Sequence, residues 1–133
     1  MAEQPLPMQA DPEDAYELFL QEHPGRGTLR VQVSTAGGTF PVPQAVVEVS
    51  RVFGGVRRTL YRAFTNQSGI VDQLILPALP AAYSQQESTA IDSGTQYQVS
   101  VSRADFIPLS DKTIEVYDRV DTILPVALRP SMS

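Results

Sequence analysis

Apolar and polar residues alternate in several short stretches of this chain. Within 28–34, Leu29, Val31 and Val33 alternate with Arg30, Gln32 and Ser34. Successive side chains of a β-strand point to opposite faces, so the first set is expected inward and the second outward. The stretch FPVPQAVVEVSRVF, residues 40–53, repeats the pattern after a Pro-rich turn. Ala45, Val47, Val49, Arg51 and Phe53 fall on one side, and Val46, Glu48, Ser50 and Val52 on the other. Val47 and Val49 are therefore expected in the core. Gly54-Gly55 follows as a two-residue hairpin signal, because glycine accepts the positive φ that such turns need.

Residues 56–64 form a third, less regular strand. Val56, Leu60 and Phe64 share a side with Arg58 and Arg62, while Thr59 and Tyr61 share the other with Arg57. The arginines suit an edge strand, where charge discourages pairing with other chains. A turn over 65–69 leads to a fourth strand at 70–76. A long connection, 77–95, comes next, and loops of that length often carry function. The fifth strand, 96–103, is expected to bury Tyr97, Val99 and Val101. After a corner at Asp105-Phe106 and Pro108, strands follow at 112–117 and 122–128. Seven short strands separated by turn residues predict an all-β fold, a two-sheet sandwich.

A different pattern precedes the strands. Asp11-Pro12 offers an acceptor at the N-cap and proline at the first helical position. Glu13 and Asp14 favour the positive end of a helix dipole. Tyr16, Phe19 and Leu20 lie at i, i+3 and i+4 and form a small apolar stripe. His23-Pro24-Gly25 ends this helix. About three turns are marginal alone, so the helix is expected to dock on the domain or on a neighbour. The organisation is thus an acidic leader with a short helix, 1–26, and a sandwich, 27–130.

Composition refines this picture. The chain has 133 residues, a size that suits one domain, and 42% are apolar, enough for a real core. The net charge is −5, and residues 1–25 carry six acids and no Lys or Arg. The remainder is close to neutral, so no nucleic-acid partner is expected, since that needs a concentrated basic face. No apolar run approaches a membrane span. The N-terminus lacks the basic and apolar regions of a secretory signal. Cytoplasmic synthesis is expected, with association to a spore, envelope or particle left open.

Candidate chemistry is sparse. There is no Cys and one His, His23, read as a solvated side chain in the leader. Asp111, Glu115, Asp118 and Asp121 lack the spacing of a calcium loop and are read as solvated strand ends. No catalytic residue, cofactor or metal ligand is expected. Candidate interaction residues are Tyr16, Phe19 and Leu20 on the helix, Arg57, Arg58 and Arg62 on the edge strand, and Tyr83 in the long connection. The arginines could grip a carboxylate or a polyanion, and Tyr83 could stack on a glycan.

Several motifs carry a family resemblance. Gly27-Thr28-Leu29-x-Val31-x-Val33, Pro41-Val42-Pro43-x-Ala45-x-Val47-x-Val49, Thr65-Asn66-Gln67-Ser68-Gly69, Tyr97-x-Val99-x-Val101 and Asp105-Phe106 occur in that order. Over about 27–130 the chain resembles the carboxypeptidase regulatory-like domains, which are prealbumin-like (transthyretin-like) seven-stranded β-sandwiches. Asn66 departs from the Asp usual in that turn, and Asp105 from the Gly usual before the aromatic. Tyr16-x-x-Phe19, Leu76-Pro77-Ala78-x-Pro80 and Val120-Asp121-Thr122-Ile123-Leu124-Pro125-Val126 also resemble clostridial-type domains found with peptidoglycan-binding and spore cortex-lytic proteins. The resemblance implies a non-enzymatic accessory or structural interaction module at the bacterial cell envelope or spore. Its partner would be a protein, a second copy, or peptidoglycan or another cell-wall glycan. Two alternatives remain beside it: a structural subunit of a phage-tail or contractile assembly, and a glycan-binding module.

Overall fold

The computed structural model describes residues 11–35, 38–80 and 94–131. One helix, α1 (Pro12–Glu22), precedes the strands. These are β1 (Gly25–Thr35), β2 (Phe40–Pro41), β3 (Val46–Phe53), β4 (Val56–Phe64) and β5 (Ile70–Ala78), then β6 (Thr95–Ser102), β7 (Phe106–Ile107), β8 (Leu109–Val116), β9 (Asp121–Ala127) and β10 (Arg129–Pro130). The strand pattern predicts seven strands, and ten occur among the described residues. The additional ones, β2, β7 and β10, are two residues each, at places where the pattern predicts turns or a chain end.

One sheet runs β4-β3-β6-β8 and is antiparallel throughout. In the other, β1 is central, with β5 antiparallel on one side and β9 parallel on the other. β2 pairs with the end of β1, and β7 with β10. The sheets pack face to face around one core. Leu29, Val31 and Val33 of β1 meet Val47 and Val49 of β3, with Leu74 and Leu76 of β5 and Tyr97, Val99 and Val101 of β6. These are the positions at which period-two alternation places apolar side chains inward. Two phenols tie the layers together. Tyr97 donates to the Pro77 carbonyl at 2.5 Å and Tyr61 to the Ile75 carbonyl at 2.7 Å.

β1 begins at Gly25, slightly earlier than the pattern predicts, because β5 continues to Ala78 and pairs with it. Between β5 and β6, the Leu79 N–H donates to Thr95 Oγ1 at 3.3 Å. Gly54 and Gly55 have φ of 56° and 81°, the double positive φ of a tight hairpin. At the 65–69 turn, Asn66 Oδ1 accepts from the Ser68 and Ile70 N–H groups. Gly69 has φ 76°, and a Cβ there would lie 2.4 Å from the Val33 carbonyl oxygen, so only glycine fits.

Register shifts interrupt three pairings, β3-β4, β1-β5 and β6-β8, and the first two decide which side chains share a face. On β4, Tyr61 faces Val49 and Thr59 faces Ser50, so Leu60 is the extra residue. A one-residue insertion exchanges the faces of everything beyond it. Arg58 consequently aligns with Arg51 on the inner side, whereas Arg57 and Arg62 align with Val52 and Glu48 on the outer side. This corrects the strict alternation that groups Arg58 with Arg62. On β5, Leu74 faces Leu29 and Val71 faces Val31, so Asp72 and Gln73 together oppose Arg30. Gln73 takes φ 57° at this bulge.

Candidate functional site

The helix stripe is spent largely within the molecule. Asp11 caps α1 by accepting the Glu13 N–H at 2.8 Å. Phe19 is the one buried residue of α1, and Tyr16 packs against the core. The Phe19 ring meets Phe53 edge-on at 5.1 Å and stacks on His23 at 4.0 Å. Tyr16 meets Phe53 edge-on at 5.0 Å. The Arg51 guanidinium lies 4.6 Å from the Phe19 ring centroid and is the reason an arginine can occupy an inward position of β3. Its Nη1 donates to the Gln96 carbonyl, while its Nε is buried without a hydrogen-bond partner. Leu20 stays exposed.

His23 is not the solvated side chain that its place in the leader suggests. Its Nδ1 lies 2.8 Å from the Phe19 carbonyl, and the tautomer that donates there closes the last turn of α1. Burial lowers its pKa from the ordinary 6.5, with Arg51 adding to that, against an opposing contribution from the Phe19 carbonyl. Burial likewise pushes the Tyr97 phenol upward.

The three candidate arginines of β4 do not form one cluster. Arg58 stacks over Tyr16 at 3.8 Å and pairs with Glu13 at 3.4 Å, so it holds the helix. Arg57 reaches over the outer face to Ser50 and Asp111, and Arg62 pairs with Glu48 at 3.0 Å. Each cation already has a partner. Tyr83 lies outside the described residues.

The alternation does not single out a groove on the outer face of β5-β1-β9. Its lining comprises Thr28, Arg30, Asp72, Gln73, Ile75, Asp121, Thr122 and Ile123, and its volume is about 560 Å³. The register sets out a small grid. Arg30 lies opposite Ile123 on β9 and the Asp72-Gln73 bulge on β5, while Thr28 lies opposite Asp121 and Ile75. The two isoleucines thus occupy one pair of diagonal corners and the two aspartates the other. Both isoleucines are about half exposed, at 48% for Ile75 and 54% for Ile123. The Thr28 hydroxyl donates to Asp121, and Asp72 accepts the Gln73 N–H at 2.8 Å. Arg30 takes part in no ion pair among the described residues, and its Nε is buried without a hydrogen-bond partner. The one local signal for this groove is the adjacent polar pair Asp72-Gln73, which interrupts an alternating strand.

Among the described residues, no group of three or more His, Cys, Asp or Glu could hold a metal ion, and no helix is long and apolar enough to cross a membrane. No family model and no curated protein matches the chain.

Proposed function

We propose that the chain is a non-enzymatic interaction module on a prealbumin-like sandwich of the carboxypeptidase regulatory-like kind, associated with the bacterial cell envelope or spore. It engages its partner through a sheet face. The fold part of this reading is supported by strand lengths and order. Seven strands have seven or more residues, and the first and last of them, β1 and β9, are parallel neighbours.

The observation that carries the function is the contrast between edges and face. Among the described residues, the long edge strands of the two larger sheets are guarded against strand addition. β4 has its bulge and arginines, β5 its bulge and Pro77, β8 a positive φ at Asp111, and β9 Pro125. Bulges, prolines and charges on edges prevent another chain from continuing the ladder. The outer face of β5-β1-β9 instead offers an open groove with aliphatic and charged side chains together. Contacts of a polymerising subunit through its edges are disfavoured by the same arrangement.

The test combines light scattering with retention on purified peptidoglycan sacculi. A monomer that is retained on sacculi is the expected result. A discrete oligomer without retention would favour the assembly subunit instead, and a monomer that is not retained would remove the envelope reading.

A further inference from the structure

We propose that the groove around Arg30 binds the carboxylate end of a short aliphatic peptide that also carries a cationic group. The proposal rests on the reading of the chain as an interaction module and names the ligand of its outer-face groove. Three features converge on this chemistry. First, Arg30 is the one cation in the lining, and among the described residues no carboxylate is paired with it. A guanidinium recognises a carboxylate through two parallel N–H donors. With Nε enclosed, the terminal nitrogens are the ones that meet the ligand.

Second, Asp72 and Asp121 lie at opposite corners of the grid, so the lining as a whole carries one excess negative charge. That arrangement repels polyanions such as phosphate chains. It accepts a single carboxylate at Arg30 when a cation on the same ligand faces an aspartate. Third, Ile75 and Ile123 supply apolar surface at the other two corners, enough to cover an aliphatic side chain.

The dimensions suit a very short ligand. Neighbouring strands lie about 4.8 Å apart, and same-face residues along a strand about 6.8 Å apart. The corners therefore span about 10 Å by about 7 Å, which matches a dipeptide at about 3.4 Å per residue. The β5 bulge matters here because it places both Asp72 and Gln73 beside Arg30 in the groove lining.

The experiment is an amide-resolved NMR titration of the full chain with three probes. They are N-acetyl-Lys-Val with a free carboxylate, the same dipeptide as its C-terminal amide, and N-acetyl-Glu-Val. The first is expected to shift the Arg30, Ile75 and Ile123 signals and to bind about tenfold or more tightly than either of the others, since each lacks one charge complement. Arg30→Gln is expected to abolish the preference for acid over amide. The comparison among peptides on the wild-type chain stands even if that variant does not fold. Equal binding of acid and amide, shifts centred elsewhere, or no binding of any probe would each overturn the assignment. If the probes fail while sacculi still retain the chain, this ligand alone is wrong. If both fail, the interaction-module reading falls with it.

Discussion

Replacing Phe19 by alanine tests whether α1 is a separately docked element held by one side chain. Phe19 is 6% exposed and is the one buried residue among the 11 of the helix. Burying a phenylalanine is worth about 1.5–3 kcal/mol. Edge-on ring contacts add about 0.5–1.5 kcal/mol, and the Arg51 cation–π contact about 0.5–2 kcal/mol. The loss cannot exceed the docking free energy of α1 itself, because once the helix leaves, nothing further is lost. Phe19 is the one buried anchor of the helix, so that docking free energy is taken as about 2–3 kcal/mol, the upper range for burying a phenylalanine. Hydrogen exchange in the 15–22 segment should accelerate by about 30- to 150-fold, the factor that free energy corresponds to. Amides of β1 and β9 should keep their protection. Phe19→Leu should retain much of the effect of the wild-type side chain. Unchanged exchange in α1, or an equal loss across every strand, would refute the idea of an independently docked helix.

Further outcomes follow from particular contacts. Because the folded pKa of His23 lies below its ordinary 6.5, the unfolded or undocked state binds more protons as pH falls through that window. Helix docking should hold fully above pH ~6.5 and weaken as pH drops toward the lowered folded pKa, measured by hydrogen exchange of α1, with His23→Gln removing the pH dependence. Gly69→Ala should lower the urea midpoint by the equivalent of about 2–3 kcal/mol, since a Cβ collides with the Val33 carbonyl at a positive φ. Thr65→Val should cost about 2–3 kcal/mol in the same assay, because Thr65 Oγ1 accepts from Ala45 N–H and donates to the Val42 carbonyl in a buried site. Thr65→Ser should restore most of it. The exposed Arg57–Asp111 pair should show a double-mutant coupling below about 1 kcal/mol.

Much of the fold is legible in local patterns. The alternation at Leu29, Val31 and Val33, at Val47 and Val49, and at Tyr97, Val99 and Val101 names core residues that the structure buries. The Asp11-Pro12 helix start and the Gly54-Gly55 hairpin appear where the residues predict them. Each of these depends on neighbours a few positions away, where backbone sterics and side-chain period act directly. The candidate residues fare differently. Phe19 and Tyr16 are apolar at helical spacing, and that spacing cannot say whether the stripe faces the same chain or another. Arg57, Arg58 and Arg62 read as one cluster until the Leu60 bulge divides them between faces.

The groove needed the tertiary structure altogether. Arg30 reads in the chain as one outward polar residue of an ordinary strand. Its character comes from Asp72 and Gln73 on β5 and Ile123 on β9, brought beside it by sheet pairing over long sequence distances. By itself, the sequence determined a leader helix followed by a sandwich, the turn glycines, and which faces of its strands are apolar, because these follow from period and local geometry. The tertiary structure alone decided the strand partners, the parallel β1–β9 pair, the bulges that re-aim whole strand segments, and the docking of Phe19 beneath Arg51. Those depend on which distant segments share a sheet, and a one-residue shift in that pairing exchanges the two faces of a strand.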